Sequence, residues 1–544
     1  MYQLDPVSIG ILWNRLIVIV DEASINLVRS SFSTAVREAN DFACVLMDRD
    51  GDAVAQANVS VPSFIGTLPS YVKHVLTVHR AASLRPGDVF MCNDPWICNG
   101  HLPDVNLAMP IFHRGRLVGF AGAGAHWPDI GGNQYSSESR SVFEEGLRIP
   151  LCKVMEQGVE NELVLDFIRN NVGIPDVVLG DFRAQVAALR SLADGLCALL
   201  DEHDGLDFAE LAGVVKRLTE QELRGAIEAM PDGSYFGEVQ TDGFDDPICI
   251  ATTVTVRGSD ITVDFAGTSP QSERGINSVL NFTTAYAVYT LKCLLTPTTP
   301  NNQGSLAPIR IEAPLGCVLN PRFPAAVNGR TMTGHFIHAP IMKALAMVLR
   351  NRVIAESGGC PIWGATWAGT HRGRRFSNLN SANGGLGASS HADGALCTPF
   401  PSNVPNTPIE VTEAAVPLLI ERKELRMDSG GDGEFRGGMG QTVAIRMLAD
   451  GPASASLRCD RTMHAAEGLF GGRPGALGTI ELNGVPVVQP KQRVQLRQND
   501  VLQIATPGGG GVGDPSRRSR EQVRRDLENG YISLNKAQQL YGWK

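Results

Sequence analysis

The sequence contains no uninterrupted apolar run of the roughly 20 residues needed to cross a bilayer, so no membrane span is expected. Nor does it open like a secretory leader: Met1 to Pro6 is polar, and the apolar stretch from Ile9 to Val20 is broken by Asn14 and Arg15. Its eleven cysteines are scattered from Cys44 to Cys459 without one Cys-x-x-Cys pair. An odd, unpatterned set of thiols belongs to a reduced, cytoplasmic protein and excludes a disulfide framework. Positive charge is also short, with a formal net charge of -9, which speaks against nucleic-acid binding because phosphate neutralisation needs a concentrated basic surface. The one basic cluster, Arg517 to Arg525, falls on a C-terminal helical pattern and reads as a solvated face.

Several nucleotide and nucleophile motifs are missing too. Lysine never follows glycine, so no Walker A loop exists, and if ATP is used it is expected on another chain. Gly508-Gly509-Gly510-Gly511-Val512-Gly513 satisfies Gly-x-Gly-x-x-Gly in form only. A dinucleotide site needs a second parallel strand and an acidic residue after the helix, and the chain ends at Lys544 without them; a structural turn is expected. There is no Gly-x-Ser-x-Gly elbow. Asp50-Gly51-Asp52 lacks the downstream glutamate of a calcium loop and reads as a hairpin turn.

What is present suffices for several domains: 544 residues with a 43% hydrophobic fraction. Apolar spacing predicts helices over residues 6–39, Thr67 to Ala82, 176–230 and Ile341 to Val353, and one near Arg520 to Tyr541. Strands are expected at 41–47 and 53–56 around the Asp-Gly turn, at Val89 to Cys92, and in a hairpin of Val105 to Phe112 with Arg116 to Gly122. Further strands are expected at 250–256, 261–265, 443–447, 479–488 and 501–504. Residues 357–440 read as glycine-rich turns and polar loops. The fold class is therefore α+β and multi-domain, with mixed and antiparallel sheets, a central helical segment and a β-rich C-terminal portion. The expected regions are 1–175, 176–235, 236–400 and 401–544.

The densest chemistry runs from Asn93-Asp94-Pro95-Trp96 through Gly100-His101-Leu102-Pro103-Asp104 and returns at Ala125-His126-Trp127-Pro128-Asp129. His-x-x-Asp in the loop feeding one hairpin strand, with a second histidine at the end of its partner, can offer three donors to one divalent metal. Buried, hydrogen-bonded histidines are the other reading of that spacing. Asp41 opens an earlier strand, where a carboxylate can face a site. The remaining histidines have no comparable carboxylate nearby and read as surface or satisfied core residues.

These stretches, with Glu144-Glu145-Gly146-Leu147-Arg148-Ile149-Pro150, Gly180 to Gln185, Asp264 to Ser269, Asp428-Ser429-Gly430-Gly431, Arg436 to Gly440 and Thr506 to Gly511, make the chain resemble the B subunits of the hydantoinase/oxoprolinase family. Caprolactamase and the ketone carboxylases are relatives within that family. The resemblance implies a two-component, ATP-dependent enzyme. An A-type ATP-binding subunit would phosphorylate the carbonyl of a small cyclic amide, and this chain would carry one divalent transition metal (zinc, manganese or iron) and finish the hydrolysis through metal-held hydroxide. A hetero-oligomer such as A2B2 is implied. The family's metal ligands carry over to Asp41, His101, Asp104 and His126. Asp129, or Glu145 after it, is assigned to proton transfer or ligand orientation by nearness in sequence. Two departures bear on substrate: Pro62-Ser63-Phe64-Ile65-Gly66 replaces a Pro-x-His-x-Gly pattern, and Gly329-Arg330-Thr331-Met332-Thr333 is idiosyncratic. The alternatives are a component of an ATP-dependent ketone carboxylase and a non-catalytic structural subunit.

Overall fold

The structure, a computed structural model, describes residues 4–133 and 135–544. Residues 1–3, read above as part of a polar start, lie outside that description. The N-terminal part runs α1 (Pro6–Ser30), α2 (Thr34–Arg37), β1 (Phe42–Asp48), β2 (Ala53–Gln56), α3 (Thr67–Val78), β3 (Val89–Cys92), β4 (Asp104–His113), β5 (Arg116–His126), β6 (Cys152–Glu156), β7 (Val159–Glu160), α4 (Glu162–Asn171), α5 (Pro175–Glu202) and α6 (Phe208–Glu228). Its strands form one antiparallel sheet in the order β2-β1-β5-β4-β3-β6-β7.

Both faces of this sheet are covered, which is why its central strands are buried along nearly their whole length. Leu12, Leu16, Val20 and Leu27 of α1 join Leu189, Leu192, Leu196 and Leu199 of α5 in the core on one face. Leu68, Tyr71, Val72 and Val75 of α3 pack on the other with Phe64, Phe90 and Phe120. The long helical pattern of residues 6–39 breaks at Ser31–Ser33, where Asp181 of α5 accepts hydrogen bonds from the Phe32 and Ser33 amides at 2.7 and 3.1 Å. That contact turns the chain towards Asp41.

The middle part holds β8 (Gly233–Thr241), β9 (Ile248–Arg257), β10 (Asp260–Asp264), α7 (Leu280–Leu295), β11 (Ile309–Glu312), the short α8 (Thr331–Gly334) and α9 (His338–Leu345). Its sheet is mixed, β11-β10-β9-β8, with β10 and β11 parallel. The helix expected over Ile341 to Val353 is shorter and starts earlier. The chain leaves it by a series of turns, and the Arg352 guanidinium reaches the Leu294 and Leu295 carbonyls at the end of α7.

The last part carries β12 (Trp363–His371), β13 (Arg374–Ala382), α10 (Ile409–Ala415), β14 (Leu418–Leu425), β15 (Gln441–Met447), β16 (Ala453–Arg458), β17 (Thr479–Leu482), β18 (Val485–Pro486), β19 (Arg493–Leu496), β20 (Val501–Ala505), α11 (Arg520–Glu528) and α12 (Leu534–Tyr541). Two sheets, β13-β12-β16-β19 and β14-β15-β20-β17-β18, enclose a second core from Trp363 to Ile504. The stretch read as loops thus contains a regular nine-residue hairpin, β12 with β13. The single terminal helix expected is two, parted at Asn529-Gly530, where Gly530 has φ +68°. Gly508 to Gly511 is a structural element: the Gly509 amide donates to the Gly438 carbonyl and the Gly510 amide to Glu356. No helix among the described residues is long and apolar enough to cross a membrane.

Candidate metal centre

Three neighbouring strands set three donors side by side. Asp104 in β4 stands opposite His126 in β5. On the far side of β5, Phe42 of β1 pairs with Ala125, and the His126 amide donates to the Asp41 carbonyl at 3.0 Å. His101 comes back over this row from the loop before β4. The turn that returns it uses Gly100 at φ +94°, where a Cβ would lie 2.9 Å from Arg330 Cδ, so a side chain is excluded twice over.

The donor atoms converge. Asp104 Oδ1 is 2.7 Å from His101 Nε2 and 3.0 Å from His126 Nδ1, and Asp41 Oδ2 is 3.8 Å from the same His126 nitrogen. His101, Asp104 and His126 are buried and offer one atom each, all within 4.8 Å of one another. Asp41 is the most open of the four, with a fifth of its side chain exposed.

The chemistry of this set fits a divalent first-row metal. His101 Nδ1 lies 3.1 Å from the Asn328 carbonyl. A carbonyl can only accept, so Nδ1 carries the proton and Nε2 presents its lone pair to the cluster. Burial, with the Arg330 charge, pushes His101 down to about 3 and keeps the imidazole neutral. Burial works to raise the Asp104 carboxyl, but Arg330, His101 and His126 together outweigh it and hold it well below the usual carboxylate range. Burial pushes Asp41 up to about 6, opposed by His126 and reinforced by the Asp104 charge. A cation here would relieve the repulsion between two carboxylates.

Much of the surrounding motif is scaffolding. Asn93 accepts from the Ile149 amide at 2.6 Å and donates to the Leu102 and Leu147 carbonyls at 2.8 and 2.9 Å, pinning the segment between His101 and Asp104. Asp94 pairs with Arg148. The Trp127 indole donates to Gln185 at 2.9 Å, and Gln185 donates to the Val105 carbonyl beside Asp104.

Asp129 and Glu145 lie apart from the donor atoms. Asp129 accepts from the Gly131 and Gly173 amides at 2.7 and 2.6 Å, one on each oxygen. Glu145 is fully buried; its Oε1 accepts from the Val327 and Asn328 amides at 2.8 and 2.7 Å, and its Oε2 has no partner. Burial, only partly offset by those amides, pushes its carboxyl up to about 8. Glu145 therefore grips the segment whose carbonyl orients His101. Three other histidines do meet aspartates, contrary to the spacing argument: His113 with Asp201, His371 with Asp450 and His464 with Asp242, at 2.9, 3.2 and 3.0 Å. The fold supplies those carboxylates from at least 79 residues away.

Four residues not singled out in the sequence complete the site. Asn328 orients His101. Arg330, in the stretch noted as idiosyncratic, donates to Asp104 Oδ2 at 2.6 Å. The Tyr135 ring stands 5.2 and 5.3 Å from those of His101 and His126, and the Arg458 guanidinium carbon lies 3.9 Å over it. Tyr135 borders two cavities. An outer one of about 250 Å³ includes His126, Asp129 and Phe32; an inner one of about 50 Å³ includes Asp41, His101, Arg330 and Ser63. Arg458 ends a buried strand of small residues, and a charge there is the one signal that could have drawn notice.

The Hydantoinase B/oxoprolinase family profile matches residues 5–515. A putative D-/L-hydantoinase B subunit from Pseudomonas sp. (strain NS671) is 34% identical, covering 99% of this chain and 95% of its own. 5-oxoprolinase 1 of Arabidopsis thaliana is 30% identical over 94% of this chain, which spans 42% of that longer protein. Among solved structures, the ATP-dependent caprolactamase from Pseudomonas jessenii superposes with a TM-score of 0.92 at 26% identity, covering 99% of this chain and 96% of that one. An acetone carboxylase shares the fold, with a TM-score of 0.89 at 19% identity over 99% of this chain and 79% of that one. By this match along nearly its whole length, the chain belongs to the hydantoinase B/oxoprolinase family.

Proposed function

We propose that this chain is the metal-dependent B-type component of an ATP-dependent hydrolase of small cyclic amides, working in the cytoplasm with an A-type partner that binds ATP and phosphorylates the amide carbonyl. One observation carries the reading. His101 Nε2, Asp104 Oδ1 and His126 Nδ1 lie within 4.8 Å of one another, Asp41 Oδ2 stands 3.8 Å from the His126 nitrogen, and the other nitrogen of His101 is already committed to the Asn328 carbonyl. The naming of its relatives as a hydantoinase component, 5-oxoprolinases and a caprolactamase supports the substrate class.

Phosphorylation of the oxygen removes the resonance that protects an amide from water. Water then adds to the activated carbon, and the ring C–N bond breaks with the nitrogen taking a proton. The acyl phosphate left behind is hydrolysed to carboxylate and phosphate. Asp41, His101, Asp104 and His126 would hold a divalent cation, which would supply Lewis acidity. The chain's own residues do the rest. Asp104 stands against both imidazoles as a shared anionic donor, Asn328 fixes the tautomer of His101, and Tyr135 with the surrounding strands restricts water. Of the two carboxyl groups assigned to proton transfer or orientation, Glu145 suits orientation, since it holds residues 327–328. Asp129 borders the outer cavity and suits a proton relay there.

The reading is tested by co-purifying the chain with its A-type partner and screening hydantoins, 5-oxoproline and larger lactams for substrate-dependent ATP hydrolysis. Ring opening stoichiometric with ATP supports it. Turnover only with a ketone and bicarbonate would replace it by the carboxylase, and full turnover retained in His101→Ala would contradict the role of the site.

A further inference from the structure

Two arginines face the inner cavity, and their charges are poorly answered by the protein. Arg458 is 3% exposed, and among the described residues no carboxylate lies within ion-pair distance of it. Its Nη1 donates only to neutral oxygens, the Tyr135 carbonyl at 3.2 Å and the Thr366 hydroxyl at 2.8 Å. Arg330 is also 3% exposed. One of its nitrogens meets Asp104, while Nε and Nη1 are buried without any partner. Its guanidinium carbon lies 4.4 Å over the Phe282 ring. Thr331, on the same wall, has a buried hydroxyl that is likewise unpartnered.

Burying a charge without a counter-ion is costly, and a buried N–H left unbonded adds to that cost. Such an arrangement persists where a ligand supplies the missing charge. Among the described residues the carboxylates at this chamber are Asp41 and Asp104, and both belong to the candidate metal centre. With a divalent cation in place, two guanidinium groups and the metal outweigh two carboxylates, and the cavity carries excess positive charge. Guanidinium groups present paired donors suited to the flat or tetrahedral array of oxygens in a carboxylate or phosphate. The cavity, about 50 Å³, admits a small group and not a whole nucleotide.

We infer that Arg330 and Arg458 form an oxyanion subsite in the chamber beside Asp41 and His101, which takes an anionic group of the reacting substrate, phosphoryl or carboxylate. The inference rests on the proposed metal reading for its charge excess, but the two arginines bind anions in their own right. In the reaction above, the phosphoryl group stays attached from activation to the final hydrolysis, so a fixed grip on it would keep the reacting carbon against the metal ligands. A carboxylate on the ring would be gripped by the same donors.

The test uses the full-length chain, metal-free and metal-loaded, titrated with inorganic phosphate and with acetate by calorimetry, and melted in about 10 mM of each against chloride of equal ionic strength. Phosphate binding in both states, tighter when metal is present, is expected. Arg458→Gln and Arg330→Gln should each weaken it about tenfold or more, while Arg458→Lys keeps the charge and loses less. Tighter binding of phosphate than acetate assigns the phosphoryl group; the reverse assigns a substrate carboxylate. Absence of binding and of any melting shift in the wild-type chain overturns the subsite even if no variant folds, as does equal binding in both glutamine variants. Phosphate binding in a chain that takes up no metal would sink the metal reading and leave the subsite standing.

Discussion

The N-terminal sheet and the glycine-rich C-terminal part solve the same problem, burying backbone, in opposite ways. Around the candidate metal centre, side chains alternate across a ladder, and covering helices fill both faces. That leaves the interior strands β1, β4 and β5 to bring Asp41, Asp104 and His126 together at one end of the sheet. Around Gly385, Gly438 and Gly509, segments pack backbone against backbone, and specificity comes from having no side chain at all. The first kind of region tolerates exchange of one apolar residue for another. The second tolerates nothing larger than hydrogen.

The largest expected effect breaks that contrast directly. A Cβ at Gly509 would stand 2.2 Å from the Leu386 carbonyl oxygen, so Gly509→Ala should leave little soluble, folded chain, as judged by circular dichroism and yield. The same change at Gly225 in α6 meets nothing within 4 Å and should stabilise by up to about 1 kcal/mol, measured by denaturant unfolding. Equal tolerance at both positions would mean that backbone packing does not hold the C-terminal part.

A smaller effect is expected from the loop that carries His101. Asn93→Ala removes three hydrogen bonds, two of them buried, so it should cost about 3 kcal/mol of stability and loosen metal binding, because Leu102 lies between two proposed ligands. Denaturation and metal titration of the variant read the two losses separately. Unchanged metal affinity alongside lost stability would confine Asn93 to the fold.

The smallest effect concerns Glu145. Its carboxyl is raised from 4.5 to about 8 in the folded chain, so the folded state keeps a proton that the unfolded chain releases. Its contribution to stability is full below pH 4.5 and falls as the pH rises towards 8. Glu145→Gln keeps the oxygen that accepts from Val327 and Asn328 and removes the titration. Its melting temperature should exceed that of the wild type by about 1 to 3 °C at pH 8 to 9, with no such gain near pH 4. A constant difference across pH would show that the acid is already ionised in the folded protein.

The same contrast explains which parts were legible. Apolar runs joined by the turns at Asp50-Gly51 and His113-Arg114-Gly115 marked the strands that carry the candidate site, since each turn is a local bend. Helix α7 left no stripe to find. It is buried on most sides by Phe282, Tyr286, Leu291 and Leu294, and an apolar surface all round has no period. The β12–β13 hairpin is built largely from Gly, Ala, Ser, Thr and Asn, a composition shared with loops, and its strand character comes from pairing with β16. The contacts of His101 with Asn328, of Asp104 with Arg330 and of Tyr135 with Arg458 join residues more than 200 positions apart. No local pattern encodes them; they follow from how the middle and C-terminal parts close over the ends of the central strands.

The central claim is that Asp41, His101, Asp104 and His126 hold one divalent metal. The most direct measurement strips the purified chain with chelator, titrates it with zinc, manganese and iron(II), and records X-ray absorption at the bound metal's edge. One equivalent per chain is expected, with imidazole scattering, nitrogen and oxygen near about 2.0 to 2.2 Å if zinc is bound, and loss of that equivalent in Asp104→Ala. A folded wild-type chain that binds none of the three, or an Asp104→Ala chain that binds the metal as tightly as wild type, would contradict it.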